Sequence, residues 1–305
     1  MRVFKANPET AIKYNARKGM ATALVFLFLA WAIPAESCTL WAATGSGTAD
    51  GTTILAKNRD WKPDQSHTLR QVQPASGYSY LGLFAFGGDS PGLKAGINEK
   101  GLAVVTATAS VIPNNERGKG DDDSINSHEI LSSFATVDEV LAQKERFNRS
   151  SYYMVADAEK VAVFEGAPNG KTGVRVIDDG YIAQTNHYVS PSLKLYNKRA
   201  STSSKTRYDR ITKLLASKQG DLTPEDFIAF SEDKNAGPDN SIFREGSDPG
   251  KSRTVATWII TIPKGKAPQL YVTMKDPEKD FRAYSDILDA EFWGVRTASA
   301  ARTDG

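Results

Sequence analysis

Cys38 is the clearest candidate for a reactive residue in this sequence, because it is the only cysteine among 305 residues. It follows Ala35 and Ser37, two small residues at the spacing that a signal peptidase requires, just after an apolar run. Cleavage before Cys38 would give a chain that begins with cysteine. Its thiol is then a nucleophile, and its own α-amine, with an ordinary pKa of about 8, can accept the thiol proton. One residue can therefore supply both nucleophile and base for attack on a carbonyl group.

The segment that follows the cysteine predicts a β-hairpin. Residues 38–44 are rich in strand formers, GSGTADG is a turn cluster, and residues 52–56 form a second strand. The second strand would bring Lys57, Arg59 and Asp60 back beside the chain terminus. We expect Arg59 to face away from Lys57, as side chains alternate along a strand.

These residues and four later segments resemble one group of enzymes. Cys38-Thr39, a turn and ILAKNRDW are similar to the opening of the choloylglycine hydrolase and isopenicillin N acyltransferase group of N-terminal-nucleophile hydrolases. The segments GINEKGLAVVTATAS, QTNHY, SSKTRYDRI and GKSRTVATWII resemble later blocks of that group in the same order. Together they cover nearly all of the chain after Cys38. The resemblance implies a four-layer αββα sandwich and hydrolysis of a linear amide.

The resemblance also implies roles for three polar groups. Asp60 would hold the α-amine, and a carboxylate beside an ammonium group suits that task. Asn186 in QTNHY would donate its side-chain amide to the oxyanion, and a backbone N–H near Thr108 would be the second donor. A surface-turn aspartate and a strand-end asparagine are the structural alternatives.

Three cationic residues are further site candidates from the same resemblance. Lys57 lies where the bile-salt branch has arginine, so the charge is kept but the planar, bidentate contact of a guanidinium group is lost. Arg207 in SSKTRYD matches a site arginine of the bile-salt branch, whereas Arg253 in SRTVA resembles one of the acyltransferase branch. Either arginine can instead be an exposed ion-pair residue. The sequence leaves open which of the two lines the site.

Histidine offers another base. The chain contains His67, His128 and His187, and His187 directly follows Asn186. A Cys-His dyad with His187 is therefore the alternative to the α-amine. We favour the α-amine, because it needs no second residue.

Residues 1–37 predict an exported protein. A basic region is followed by an apolar run of about 13 residues and the small-residue site, and a membrane span needs roughly 20 apolar residues. We expect a signal peptide over residues 1–37, a single domain over residues 38–305, and a periplasmic or secreted location. An uncleaved membrane anchor and a lipoprotein signal with a lipidated Cys38 are the alternatives.

The charge pattern argues against nucleic acid as a partner. Residues 1–37 hold five of the 38 basic and two of the 36 acidic residues, so the remainder carries a formal charge of −1. It shows no basic stripe with interleaved aromatic residues. The run Asp121 to Asp123 lacks the alternating spacing of a calcium loop and is read as a solvated loop. We expect no metal, no cofactor and no membrane contact after signal cleavage.

The remaining pattern predicts an α+β domain with mainly antiparallel sheets. Helical spacing covers residues 127–147, with a break at Thr136 or Asp138, and a second helix covers residues 207–216. TPED from Thr223 predicts a third helix start. Further strands are expected at residues 68–72, 78–86, 93–97, 102–107, 151–156, 161–165, 174–177, 181–185, 254–262 and 269–274.

The resulting hypothesis is an exported N-terminal-cysteine hydrolase that acts on a small linear amide through an acyl-thioester on Cys38. An N-acyl amino acid, a bile-salt-like amide or a β-lactam-type compound would be the substrate. An acyltransferase with the same residues, a dipeptidase of the related cysteine branch and a Cys38-lipidated binding protein are the alternatives. The acyl group, the amine and the oligomeric state, a homo-oligomer included, stay open.

Overall fold

Two antiparallel sheets dominate the computed structural model, which describes residues 37–118, 123–277 and 281–294. The strands are β1 (Ser37–Gly45), β2 (Gly51–Trp61), β3 (Ser66–Val72), β4 (Tyr80–Phe86), β5 (Gly92–Asn98), β6 (Ala103–Thr108), β7 (Ser151–Ala156), β8 (Val161–Ala167), β9 (Lys171–Ile177), β10 (Gly180–Gln184), β11 (Arg253–Ile262), β12 (Gln269–Lys275) and β13 (Phe281–Ile287). One sheet has the order β10-β1-β2-β11-β12-β13, and the other runs from β3 to β9 in chain order.

The α-helices are few and short, with one exception. They are α1 (Ser127–Ser133), α2 (Val137–Leu141), α3 (Thr202–Ser217), α4 (Pro224–Ser231) and α5 (Gly237–Asn240). None of the helices in the described residues is long and apolar enough to cross a membrane. Residues 1–36 of the expected signal peptide, and Asp121 and Asp122, lie outside the described residues.

The predicted hairpin is confirmed and lies at the centre of the six-stranded sheet. β1 and β2 pair antiparallel with Cys38 opposite Arg59 and Ser37 opposite Asp60. β10 flanks β1, and β11 flanks β2. Both strands are buried along nearly their whole length. Burial on two faces means that the sheet has other layers on both sides.

Three apolar clusters define those layers. One lies between the two sheets and includes Leu40 and Leu55 from one sheet with Leu83 and Val105 from the other. A second packs α1 and α2 on the outer face of the seven-stranded sheet. The third packs α3 and α4 on the outer face of the six-stranded sheet. The order is helices, sheet, sheet, helices, which confirms the predicted αββα sandwich.

Helix ends follow the capping signals. The Thr136 side chain accepts the Glu139 N–H and starts α2, which places the predicted break at Thr136. Thr223 and Asp226 form a complete capping box at the start of α4. The helix expected at residues 207–216 begins earlier, at Thr202, because the Ser201 side chain caps it by accepting the Ser204 N–H.

The sequence did not predict β13. Its residues are mostly exposed, and it is the edge strand of the six-stranded sheet. A strand without a buried face shows no period of two in its apolar residues, so the usual signal was missing.

Candidate active site

Cys38 lies at a cavity that opens between the sheets. Its side chain is 4% exposed and belongs to the cluster between the two sheets. The cavity has a volume of about 590 Å³, and Lys57, Arg59 and Trp61 line it together with the thiol. The expectation that Arg59 faces away from Lys57 is wrong, because side chains two residues apart on a strand share a face. Arg59 instead lies over the Trp61 ring, 4.7 Å from its centroid.

Asn186 joins Cys38 to the neighbouring sheet. It lies two residues after β10 and is fully buried. Its Oδ1 accepts the Cys38 N–H at 2.9 Å, and its Nδ2 donates to the Thr108 carbonyl at 3.0 Å. The structure therefore brings together Cys38, Asn186 and Thr108, which are far apart in sequence.

Arg207 fixes the orientation of this amide. Its Nη1 donates to the Cys38 carbonyl at 2.6 Å, and its Nη2 donates to Asn186 Oδ1 at 2.9 Å and to Ser37 Oγ. Since a guanidinium group only donates, the amide atom that faces it must be the oxygen, and Nδ2 then points to Thr108. Burial lowers the pKa of Arg207 to about 10, so the group stays charged at neutral pH.

Ser204, one helical turn before Arg207, holds Asn186 from its main chain. Ser204 Oγ accepts the Asn186 N–H at 3.0 Å. Ser204 is not among the residues predicted from the sequence, although its spacing of three from Arg207 places both on one face of a helix. α3 thus holds both the main chain and the side chain of Asn186.

The structure places Arg253 away from the thiol. Its Nη2 donates to the carbonyl oxygens of Asp248 and Pro249, at 3.1 and 3.2 Å, in the loop before β11. Of the two arginines left open by the sequence, Arg207 is therefore the one that contacts Cys38.

Asp60 lies on the opposite face of β2 from Lys57, toward the α3 layer. Its Oδ1 accepts the Thr254 hydroxyl at 2.8 Å, and its Oδ2 has no hydrogen-bond partner within the described part of the chain. Burial raises the pKa of Asp60, while Arg244 and Arg207 act to lower it. Because Asp60 pairs with Ser37, its carboxylate lies beside the main chain that precedes Cys38.

Lys57 crosses the space between the two sheets. It is 1% exposed, and its Nζ donates to the carbonyl oxygens of Lys94 at 2.8 Å and Thr106 at 2.7 Å. Burial lowers the pKa of Lys57 to about 8, and Cys38 opposes that shift.

The histidines have other partners. His187 Nδ1 lies 2.8 Å from Ser204 Oγ, and burial lowers the pKa of His187 to about 4. His128 Nδ1 lies 2.7 Å from the Tyr80 hydroxyl. Burial also lowers the pKa of His67, to about 3. Within the described residues, no hydrogen bond links any of the three to Cys38.

Loops and acidic residues complete the surroundings. Residues 89–94 and 149–151 line the cavity together with Trp61. Across the described ranges, no group of three or more potential ligands is arranged to hold a metal ion. Asp123, the described member of the acidic run, is exposed.

Comparison with known proteins relates this geometry to a family. The family model of acyl-coenzyme A:6-aminopenicillanic acid acyl-transferase matches residues 47–279, which is more than half of the chain. The search of curated proteins found no match to this chain. Penicillin V acylase from Agrobacterium tumefaciens has a TM-score of 0.51 at 18% identity, over 82% of this chain and 86% of that chain.

A variant of the conjugated bile acid hydrolase from Clostridium perfringens has a TM-score of 0.52 at 15% identity, over 82% of this chain and 92% of that chain. At these identities the two structures show a shared fold. The family match, which covers β2 to β12, adds the sequence evidence. The chain therefore belongs to the acyl-coenzyme A:6-aminopenicillanic acid acyl-transferase family, within the N-terminal-nucleophile group that acts on linear amides.

Proposed function

We propose that the mature chain begins at Cys38 and hydrolyses a linear amide through an acyl-thioester on that residue. The bridge made by Asn186 carries the proposal. Its side chain accepts the N–H of Cys38, the atom that would become the α-amine, and donates to Thr108 on the facing sheet. The proposed nucleophile, its base and one candidate oxyanion donor, the Asn186 amide, thus lie together, and the kcat of Cys38→Ala tests this assignment.

The reaction follows from these positions. The α-amine takes the thiol proton, and the sulfur attacks the substrate carbonyl carbon. The Asn186 amide and a backbone N–H near Thr108 donate to the oxyanion. The intermediate collapses as the C–N bond breaks, and the α-ammonium returns its proton to the leaving amine. Water then attacks the thioester with the α-amine as base, which releases the acid and restores the thiol.

The same proposal requires export and removal of residues 1–37. Ser37 and Cys38 are both 4% exposed in a central strand, so a separate peptidase could reach their bond only before the domain folds. Removal of Ser37 frees Asn186 Oδ1 and Arg207 Nη2 from its hydroxyl. This fits a signal peptidase, which acts on unfolded chain during export.

A lipidated Cys38 fits the geometry poorly. The residue lies between the two sheets, with β10 and β2 on either side of its strand. Acyl chains on that sulfur would have to leave a packed core to reach a bilayer. The burial of Cys38 therefore favours an enzyme over a lipid-anchored binding protein.

An acyltransferase is the second candidate, and the family match favours keeping it. An amine acceptor would replace water in the second step, and the same residues would act. Assays of acyl transfer with and without an added amine separate the two activities.

The cavity favours a substrate that carries an acidic group. Among its described lining residues there are five cations and one carboxylate: Lys57, Arg59, Lys94, Arg117, Arg149 and Asp89. Asp89 is 76% exposed and pairs with Lys62. Clefts lined by charges of one sign concentrate ligands of the opposite sign. We therefore place N-acyl amino acids and other acidic amides first among the candidate substrates.

Charge-matched substrates test this preference. Glutaryl-4-nitroanilide carries a carboxylate on its acyl group, and hexanoyl-glycine carries one on its amine. In at least one of the two cases, kcat/KM should be about tenfold or more above that of the matching compound with a terminal carboxamide. The ratio should fall as salt is added, because ions screen the field. Lys94→Met should reduce the ratio, whereas Lys213→Met, an exposed cation on α3, should leave it unchanged.

Equal kcat/KM for acid and amide in both pairs at low salt would remove the acidic preference. That outcome leaves the role of Cys38 intact, since both members of each pair would still be cleaved.

A further inference from the structure

Arg244 is a buried arginine outside the set of site residues predicted from the sequence. It lies in the loop between α5 and β11 and is 8% exposed. Its Nη1 is 3.9 Å from Asp60 Oδ2. Within the described ranges, neither Arg244 Nε nor Nη1 nor Asp60 Oδ2 has a hydrogen-bond partner. Buried polar atoms without partners are rare in folded proteins, so this arrangement calls for an explanation.

Thr254 connects Arg244 to Asp60. The Arg244 N–H donates to Thr254 Oγ1 at 2.9 Å, and the Thr254 N–H donates to the Arg244 carbonyl at 2.9 Å. The same hydroxyl donates to Asp60 Oδ1 at 2.8 Å. One threonine thus holds the arginine main chain and the carboxylate side chain at a fixed separation.

A β-bulge in β11 lies at this point. Pairing with β2 shifts from Thr254 opposite Asp60 to Ala256 opposite Arg59, which leaves Val255 as an extra residue. Bulges redirect side chains and are common beside active sites. Here the bulge begins at the threonine that binds both Asp60 and Arg244.

The charged groups that lower the pKa of Asp60 come from three elements. They are Arg244 from the loop, Arg207 from α3 and Arg59 from β2, and Thr254 of β11 adds a hydrogen bond. Burial raises the pKa of Asp60, and these groups oppose the shift, with Arg244 first among them. Arg207 already donates to Cys38, Thr39 and Asn186. Arg244 is therefore the cation that acts mainly on the Asp60 carboxylate.

We propose that Arg244 is a positioning residue that keeps the Asp60 carboxylate ionised and directed at the Cys38 α-amine. The inference rests on the proposed function, because it needs a terminal amine at Cys38. Arg244 acts through Asp60 and does not contact the thiol. It would set the lowest pH at which the α-amine works as a base.

The test is the pH profile of kcat/KM, measured from about pH 5 to pH 9. Loss of the Arg244 charge raises the pKa of Asp60, and it also raises the pKa of the nearby α-amine, since a repelling cation is gone. Because the proposed mechanism needs Asp60 ionised and the α-amine neutral, both changes move the acid limb of the profile to higher pH. Arg244→Gln should therefore shift the acid limb to higher pH by about one unit.

Two further variants separate charge from packing. Arg244→Lys keeps the charge and should keep the acid limb near its wild-type position. Arg210→Gln breaks the Arg210–Asp233 ion pair, which holds the segment between α4 and α5, and should not move the acid limb. Thermal unfolding of each variant shows that the fold is retained.

An Arg244→Gln enzyme that loses the same factor of kcat/KM at every pH would overturn the inference. If Arg244→Gln does not fold, a shift of about one pH unit in the acid limb of Arg244→Lys would overturn the inference instead. Neither result touches the proposed function. That fails separately, if Cys38→Ala retains turnover.

Discussion

Cys38→Ala is expected to lower kcat for amide hydrolysis by about 10⁴-fold or more, because it removes the proposed nucleophile. The change deletes one sulfur atom from a buried position and leaves the main-chain contacts with Asn186 and Arg207 available. Thermal unfolding should therefore show a folded protein. Steady-state kinetics on one amide substrate measures the effect.

Thiol labelling provides the matched readout. Cys38 is the only cysteine, so a thiol reagent should label the wild type once and the alanine variant not at all. Cys38→Ser should retain little activity, since a hydroxyl is a weaker nucleophile than a thiolate near neutral pH. Turnover by Cys38→Ala at the wild-type rate would contradict every step of the proposed mechanism.

Asn186→Ala is expected to lower kcat by about 10²- to 10³-fold, because one oxyanion donor is typically worth that much in the transition state. Asn186→Asp is the closest match in size and should be similarly impaired, as it replaces the donating Nδ2 with an oxygen. His187→Ala should be milder, because His187 Nδ1 faces Ser204 and its ring packs on Tyr208. The values of kcat for the three variants give the comparison.

An added alanine before Cys38 distinguishes the two candidate bases. The extension displaces the α-amine and leaves His187 in place, so the terminal-amine mechanism predicts a severe loss of kcat. Full activity in the extended protein, together with an inactive His187→Ala, would assign the base to a Cys-His dyad.

Local signals in the sequence were enough to predict the centre of the fold. The turn cluster after β1 sets the hairpin, and the hairpin alone brings Lys57 and Asp60 beside the cysteine. Capping at Thr136 and Thr223 marks two helix starts. These features depend on neighbours within a few residues, which is why they can be read without the structure.

Features that depend on distant contacts could not be read in this way. Arg244 lies in a loop, and only the pairing of β11 with β2 brings it to Asp60. The choice between Arg207 and Arg253 likewise depends on how α3 packs against β1. β13 is exposed and lacks an apolar period. The orientation of Arg59 was open to local reasoning, since a spacing of two along a strand implies a shared face.

Mass spectrometry of an acid-quenched reaction tests for the mature Cys38 terminus and its acyl-thioester most directly. Purified protein is mixed with substrate, quenched, digested and analysed for the peptide that contains Cys38. The proposed mechanism predicts a peptide that begins at Cys38 with no preceding residue, and a transient increase in its mass equal to the acyl group of the substrate. An intact Ser37–Cys38 bond in active protein, or an acyl group found only on another residue, would contradict it.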